Sequence, residues 1–358
     1  MSSLSLSKKE GLMWKAIAML LILLNNFCHH YPTAAWIESE KCFNSSGVVQ
    51  FWNMICGGQD VFWAFFSFFG HFGVPMFLFL SGYGLVKKYE QSEMVEWNPF
   101  KFLLHRCMKM YKLIIPIIIV FLVVEFINLY ESTNNISKAM AMLVDNEGVR
   151  TLRTLTFTGG LFRRHSFGGA WWFIPLIMEC YVCYVIFHQW NNKILLVVAS
   201  SISVLLQAIF IATNNTFLLI CMRWNCFGWI LPFAMGIWAA RYDFPKSNWL
   251  CLISWIAFFL SSFWSYSWII QSAFLLFACF SMDKPNKRCP RWLVFIGIIS
   301  PYIFVTHSFV RDMIIWKGML SYYGCLIFVI LSILVALAYK YLTNILYKRD
   351  FDISHILK

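Results

Sequence analysis

The chain has 358 residues, 60% of them hydrophobic and 13% charged, a composition that excludes a soluble protein of two or three domains because its apolar surface could not be hidden from water. The net charge of +12 does not mark a nucleic-acid partner, since the basic residues lie in short connectors between apolar runs. The bilayer is the expected solvent.

Apolar runs of about 18 to 22 residues, each able to cross a ~30 Å hydrocarbon core, predict ten spans. They lie near 12–31, 61–86, 113–130, 171–190, 194–213, 217–240, 249–264, 267–282, 292–310 and 320–342. The first run is too long for a signal peptide and lacks a small-residue cleavage site, so it reads as a permanent span. With the first end inside, 20 of the 29 Lys and Arg fall on cytoplasmic segments, and this bias places both termini in the cytoplasm. The fold class expected is therefore all-α: one polytopic helical bundle over 1–358, with no appended soluble domain and no internal repeat.

In the first span Lys15 sits at the inner end, with Asn26 ~16 Å and His30 ~22 Å further out at ~1.5 Å per residue. Asn26, His29 and His30 share one helix face. The following loop, 32–60, exceeds the length at which loops usually carry function or small helices. His71 falls ~15 Å below the outer surface in the second span. Lys87, Lys88, Arg106, Lys109 and Lys112 form the basic connector after it. A second long outer loop, 131–170, holds an outer basic cluster of Arg150, Arg153, Arg163, Arg164 and His165. Trp171 and Trp172 open the fourth span, which carries Glu179 ~12 Å inward, and His307 in the ninth span counts to the same ~22 Å depth as His30. Most of the twelve cysteines lie within spans as small apolar residues, while Cys42 with Cys56, or Cys221 with Cys226, could pair outside. No metal site is expected.

Ionisable groups at bilayer depth are costly and mark candidate sites facing a cavity or partner. Each also has a plainer reading. His29 and His30 can be interfacial, His71 and His307 packed, and Glu179 structurally paired. The inner cations can be positive-inside anchors, and the cluster from Arg150 to His165 a solvated loop.

Several segments resemble the integral membrane acyltransferase 3 family. "GVPMFLFLSGYGL" from Gly73 to Leu85 is similar to its aromatic helix ending in a Ser-Gly-aromatic turn, and "IGIISPYIFVTH" from Ile296 to His307 to its closing Gly, Ser, aromatic and His signature. "FKFLLHRCMKMY" from Phe100 to Tyr111 and "GGAWWFIPLIMECY" from Gly168 to Tyr181 agree more loosely. The order is kept over nearly the whole chain. One departure stands out: the family's first span carries an Arg and, eleven positions on, a His central to transfer, where this chain has Lys15 and Asn26. Asn cannot act as a base.

The resemblance implies an O-acyltransferase that moves an acyl group, acetyl by expectation, from cytoplasmic acyl-coenzyme A to a hydroxyl of an extracytoplasmic glycan or glycolipid in a bacterial plasma membrane. In that reading Lys15, Arg106, Lys87, Lys88, Lys109 and Lys112 hold coenzyme A phosphates. Catalysis falls to His29, His30, His307, Asn26 and Glu179, and acceptor binding to Arg163, Arg164, His165, Trp171, Trp172 and His71. Ser81 reads as a packing residue of the Ser-Gly turn. The partners expected are the glycan acceptor and membrane lipids, and a homo-oligomer is left open. The competing readings are a glycan transporter or flippase and a degenerate acyltransferase that binds or assembles.

Overall fold

The computed structural model describes residues 4–92, 97–159, 170–282 and 289–347. They form fifteen α-helices and short 3-10 turns, with no strand among the described residues. In chain order these are α1 (Lys8–Cys28), α2 (Ser45–Gly57), α3 (Val61–Phe69), α4 (Gly73–Tyr89), α5 (Pro99–Thr133), α6 (Ile136–Leu155), α7 (Phe173–Trp190) and α8 (Lys193–Ala212). They continue as α9 (Thr216–Arg223), α10 (Ile230–Arg241), α11 (Asn248–Leu260), α12 (Ser265–Ile269), α13 (Gln271–Phe280), α14 (Arg291–Trp316) and α15 (Tyr322–Leu346).

Seven helices among the described residues are long and apolar enough to cross a membrane: α1, α3 with α4, α5, α7, α8, α14 and α15. They coincide with seven of the ten expected spans. The other three are broken into short apolar pieces, α9 with α10, α11, and α12 with α13. Exposed irregular backbone is not tolerated in lipid, and each break is held by polar side chains. Glu179 on α7 accepts the Cys226 N–H at 2.7 Å, and Gln271 donates to Phe258 O at 2.9 Å and Ser262 Oγ at 2.6 Å.

The element boundaries follow local chemistry. Ser7 and Glu10 form a reciprocal capping box at the start of α1, satisfying two orphan amides. Asn98 caps α5 with Pro99 at its first position, the place where proline's fixed φ and missing N–H do no harm. At 35 residues α5 is ~52 Å long, well beyond the ~30 Å hydrocarbon core. Of the expected basic connector, Arg106, Lys109 and Lys112 thus sit on the first half of this helix, and Lys87 and Lys88 in the last turn of α4. Within the second long loop, α6 folds back along α5.

Two contacts set the register of the bundle. Arg311 of α14 donates to Asn26 of α1, a separation of 285 residues, and Gly297 lies against Leu12 at that same separation. Equal separations at both ends mean that α1 and α14 run parallel. Gly297 makes the approach possible, because a Cβ there would stand 2.0 Å from the Leu12 carbonyl oxygen. In α4 and α10, Gly82 meets the Phe233 backbone and Glu90 pairs with Arg241, both at a separation of 151, so these helices are parallel too.

These contacts correct two expectations. Ser81-Gly82-Tyr83 is not a turn but the interior of α4, where Gly82 admits α10 and Tyr83 Oη accepts from Leu6 N and donates to Leu4 O, each at 2.8 Å. His30 and His307 are not level: on the register of α1 against α14, His307 stands beside Ile22, eight residues or ~12 Å short of His30. Counting from Lys15 and Trp292 sets them level, but the helices overlap Leu12 with Gly297. Neither expected cysteine pair is joined, since all described cysteines are free thiols and Cys226 Sγ instead lies 3.8 Å from Cys183 Sγ.

Candidate functional site

The loop after α1 does not leave the bundle. Ala34 O accepts from Ser67 Oγ at 2.6 Å, and Ser39 O accepts from the Trp268 indole at 2.6 Å. Arg223, buried between the rings of Trp229 and Trp268, donates twice to Glu40 O at 3.2 and 2.8 Å. A buried guanidinium persists only where its donors and faces are matched. Arg223 therefore anchors residues 36–44 as a folded-back cover over the end of α1.

Beneath this cover lies a cavity of about 660 Å³, within the range of small-molecule sites. Asn26, His29 and His30 enter it from α1 and the turn after it, Glu38 and Lys41 from the cover, and Arg311 from α14. The Arg311 guanidinium is forked: Nη1 donates to Asn26 Oδ1 at 3.2 Å, while Nε and Nη2 donate to Asp312 at 2.8 and 2.7 Å. Asn26 in turn donates to Ile22 O at 2.9 Å. His29 Nδ1 stands 3.7 Å from a Glu38 carboxylate oxygen, both side chains being largely buried, at 8% and 11% exposure. The His29 ring stacks on Trp36 at 4.2 Å and meets His30 edge-on at 4.6 Å.

Charge in the cover is tuned by burial. Burial pushes the Glu38 carboxyl up to about 7, and pushes the Lys41 ammonium down to about 7, because each charged form loses its hydration. Lys41 Nζ rests over the Trp172 ring, 2.7 Å from its centroid, with Trp224 next to it at 4.8 Å. Several polar atoms around the cavity have no hydrogen-bond partner among the described residues: both nitrogens of His29, His30 Nε2, Glu38 Oε2 and His71 Nδ1. Native interiors leave few such atoms, and these five belong to residues that line one void.

The cavity brings together Asn26, His29, His30, His71 and Trp172 of the residues expected from sequence. His307 is fully buried and does not line it, with Nδ1 3.1 and 2.9 Å from the carbonyls of Ile303 and Phe304. Carbonyls only accept, so Nδ1 carries the proton and Nε2 the lone pair. Trp171 turns away from the cavity and donates to Val305 O at 3.1 Å, fixing the start of α7 on α14. Glu179 braces the α9 to α10 break rather than lining the void. Arg163, Arg164 and His165 lie outside the described residues.

The expected phosphate ligands lie toward the other end of α1. Lys15 and Arg106 are close enough to repel one another, and Arg106 sits among Tyr89, Phe102 and Tyr181 at 5.4, 5.3 and 4.9 Å. Lys87 binds Gln91 at 2.8 Å, Lys88 stands over Tyr89 and Lys112 over Tyr347. Lys109 is on the same first half of α5. None of the six lines the cavity. Lys15 is eleven residues, or ~16 Å, from Asn26 along α1.

Sequence reasoning missed Glu38, Lys41, Arg223 and Arg311. Arg311 stands one residue past the expected end of the ninth span, and its i,i+4 spacing from His307 was the available signal. Glu38 and Lys41 had none, because loop folding has no periodicity to read.

The acyltransferase 3 family model, described as an acyltransferase domain, matches residues 13–345. No curated protein and no solved structure matches. The matched segment is nearly the whole chain, and the chain belongs to this family.

Proposed function

We propose that this acyltransferase moves an acyl group, acetyl in the simplest case, from cytoplasmic acyl-coenzyme A to a hydroxyl of a glycan or glycolipid presented on the far side of a bacterial plasma membrane. The observation that carries the reading is the cavity, where three imidazoles, the Asn26 amide and a guanidinium converge with unpartnered polar atoms. The basic groups around Lys15 and Arg106 suit the coenzyme A phosphates at the opposite end of α1. The pantetheine arm then runs along α1 toward Asn26.

A ten-span topology with both termini cytoplasmic fits the helix directions. Parallel α1 and α14 need an odd number of crossings between them, and the four long spans in between supply an even number. Because α10 runs with α4, the α9 to α10 segment adds one crossing. The packed pair α11 and α13 then adds two, giving ten in all.

In the reaction, the acceptor oxygen attacks the thioester carbonyl carbon while a cavity imidazole removes its proton. The developing oxyanion is met by the Arg311 guanidinium and the second Asn26 amide hydrogen, donors already in place and shielded from water. The C–S bond then breaks, and the coenzyme A thiolate recovers the proton. Purified protein in lipid nanodiscs, given labelled acetyl-coenzyme A and a glycan extract, tests this. Coenzyme A release coupled to labelled glycan is expected, and absence of release, transfer and coenzyme A binding would exclude it. Glycan movement across vesicles without acyl transfer would instead identify a flippase.

A further inference from the structure

We propose that Glu38 is a positioning residue for His29, and that the His29–Glu38 pair carries the acceptor proton in this chain, where residue 26 is an asparagine. The inference rests on the acyl-transfer reading and selects one imidazole within it.

Asn26 has no basic lone pair, and its side chain is engaged by Arg311 on one side and Ile22 O on the other. His307 does not line the cavity. His71 and His30 do line it, but of the three cavity histidines His29 is the one with a carboxylate of a described residue within 4 Å, Glu38 at 3.7 Å. That separation is long for a hydrogen bond, as catalytic contacts often are before substrate closes the site. Both His29 nitrogens and Glu38 Oε2 lack hydrogen-bond partners, while the Glu38 carboxyl also accepts from its own backbone N–H and feels the charge of Lys41.

The backbone adds an independent observation. Trp36, which stacks on the His29 ring, holds φ at +55°, a left-handed conformation that disfavours a bulky L side chain. Residues in this conformation cluster at functional sites, and although Trp36 is 59% exposed its ring covers one face of the His29 imidazole. Trp36 on one face and Glu38 at Nδ1 leave Nε2 as the atom that can meet a substrate.

The step balances as follows. With Nδ1–H directed at the Glu38 carboxylate, the Nε2 lone pair takes the hydroxyl proton as the acceptor oxygen forms its bond to the thioester carbon. The resulting imidazolium is stabilised by the carboxylate. The C–S bond breaks with its electron pair on sulfur, and Nε2–H returns the proton to give free coenzyme A thiol and the glycan ester. Glu38 is neither consumed nor protonated. The charged groups around the pair are Glu40 and Lys41 beside Glu38, and His30 and Arg311 beside His29.

The test uses the full chain in nanodiscs with acetyl-coenzyme A and a glycan extract. His29→Gln is expected to lower kcat by about 10² to 10⁴, the usual span for loss of a general base. Glu38→Gln should lower kcat at least about tenfold with acceptor KM within about twofold, and Glu38→Asp should recover part of the loss, a split expected when a group acts only through the base. A second readout does not need activity: carbethoxylation of His29 by diethyl pyrocarbonate, followed by peptide mass against pH. Loss of the carboxylate should move the midpoint of His29 reactivity to lower pH in Glu38→Gln. If the wild type transfers acyl groups while both variants keep its kcat, or if the His29 midpoint is the same with Gln at 38, the pair is not the proton carrier. If the wild type transfers nothing, the acyltransferase reading fails, and the carbethoxylation midpoint still decides whether Glu38 positions His29.

Discussion

Arg311 reaches across 285 residues to place Nη1 3.2 Å from the side-chain oxygen of Asn26. A histidine at position 26 would face a guanidinium there, so the asparagine and the arginine belong together. Contacting groups with a shared partner are non-additive by about 0.5–3 kcal/mol. Asn26→Ala and Arg311→Ala are expected to lower transfer individually and to show coupling of that size in the double variant. Strict additivity of the three rates would mean that the contact has no part in turnover. Asn26→His alone should not raise activity.

Gly297→Ala tests the register that sets the site. The added Cβ would stand 2.0 Å from the Leu12 backbone oxygen, and overpacking of this kind typically costs about 1–3 kcal/mol. A lower melting temperature in detergent is expected. Gly84→Ala is the control, because nothing lies within 4 Å of its Cβ position, and its helix should gain slightly. Equal melting of the two variants would contradict the close α1 to α14 approach.

Much of this was legible in the sequence, and the failures have physical causes. Hydropathy finds a helix wherever the apolar run is unbroken, so α1, α7, α8, α14 and α15 were placed within a few residues. It fails at Trp224–Trp229 and Ser261–Trp264, where polar side chains such as Glu179 and Gln271 satisfy broken backbone at a distance. Depth along a single span is readable, but relative depth between two spans needs a contact, and only the Leu12–Gly297 approach reveals it. The histidines at 29 and 30 were visible as polar residues at a span end. Their carboxylate was not, because Glu38 returns to them through a loop pinned by Arg223, nearly two hundred residues later.

The pH dependence divides by sign. Glu38 is raised to about 7 from its ordinary 4.5, so the stability of its neutral form is full below 4.5 and lost as pH rises through 7. Lys41 is lowered to about 7 from 10.5, so the stability of its neutral form is full above 10.5 and lost as pH falls through 7. The melting gain of Glu38→Gln over wild type should therefore be larger at pH 8 than at pH 5, and that of Lys41→Met larger at pH 6 than at pH 9. Transfer, which needs ionised Glu38, should rise through about pH 7 in the wild type. Melting differences independent of pH would rule out these shifts.

The adjacent tryptophans separate structure from binding. Trp171→Phe loses the hydrogen bond to Val305 O and should cost about 1 kcal/mol of stability with little change in acceptor KM. Trp172→Ala removes the ring beneath Lys41 and should raise acceptor KM, since it opens the cavity wall and frees the ammonium. A common effect of both on melting alone would remove Trp172 from acceptor binding.

The most direct measurement is labelled acetyl transfer by the nanodisc-embedded wild type and its His29→Gln variant, with coenzyme A release and glycan mass followed together. Stoichiometric release and an acetyl-sized mass gain in the wild type, both lost in His29→Gln while the coenzyme A affinity is retained, are the predicted results. Transfer that survives His29→Gln at the wild-type rate, or a wild type that neither releases nor binds coenzyme A, would contradict an acyltransferase working through the histidine beside Glu38.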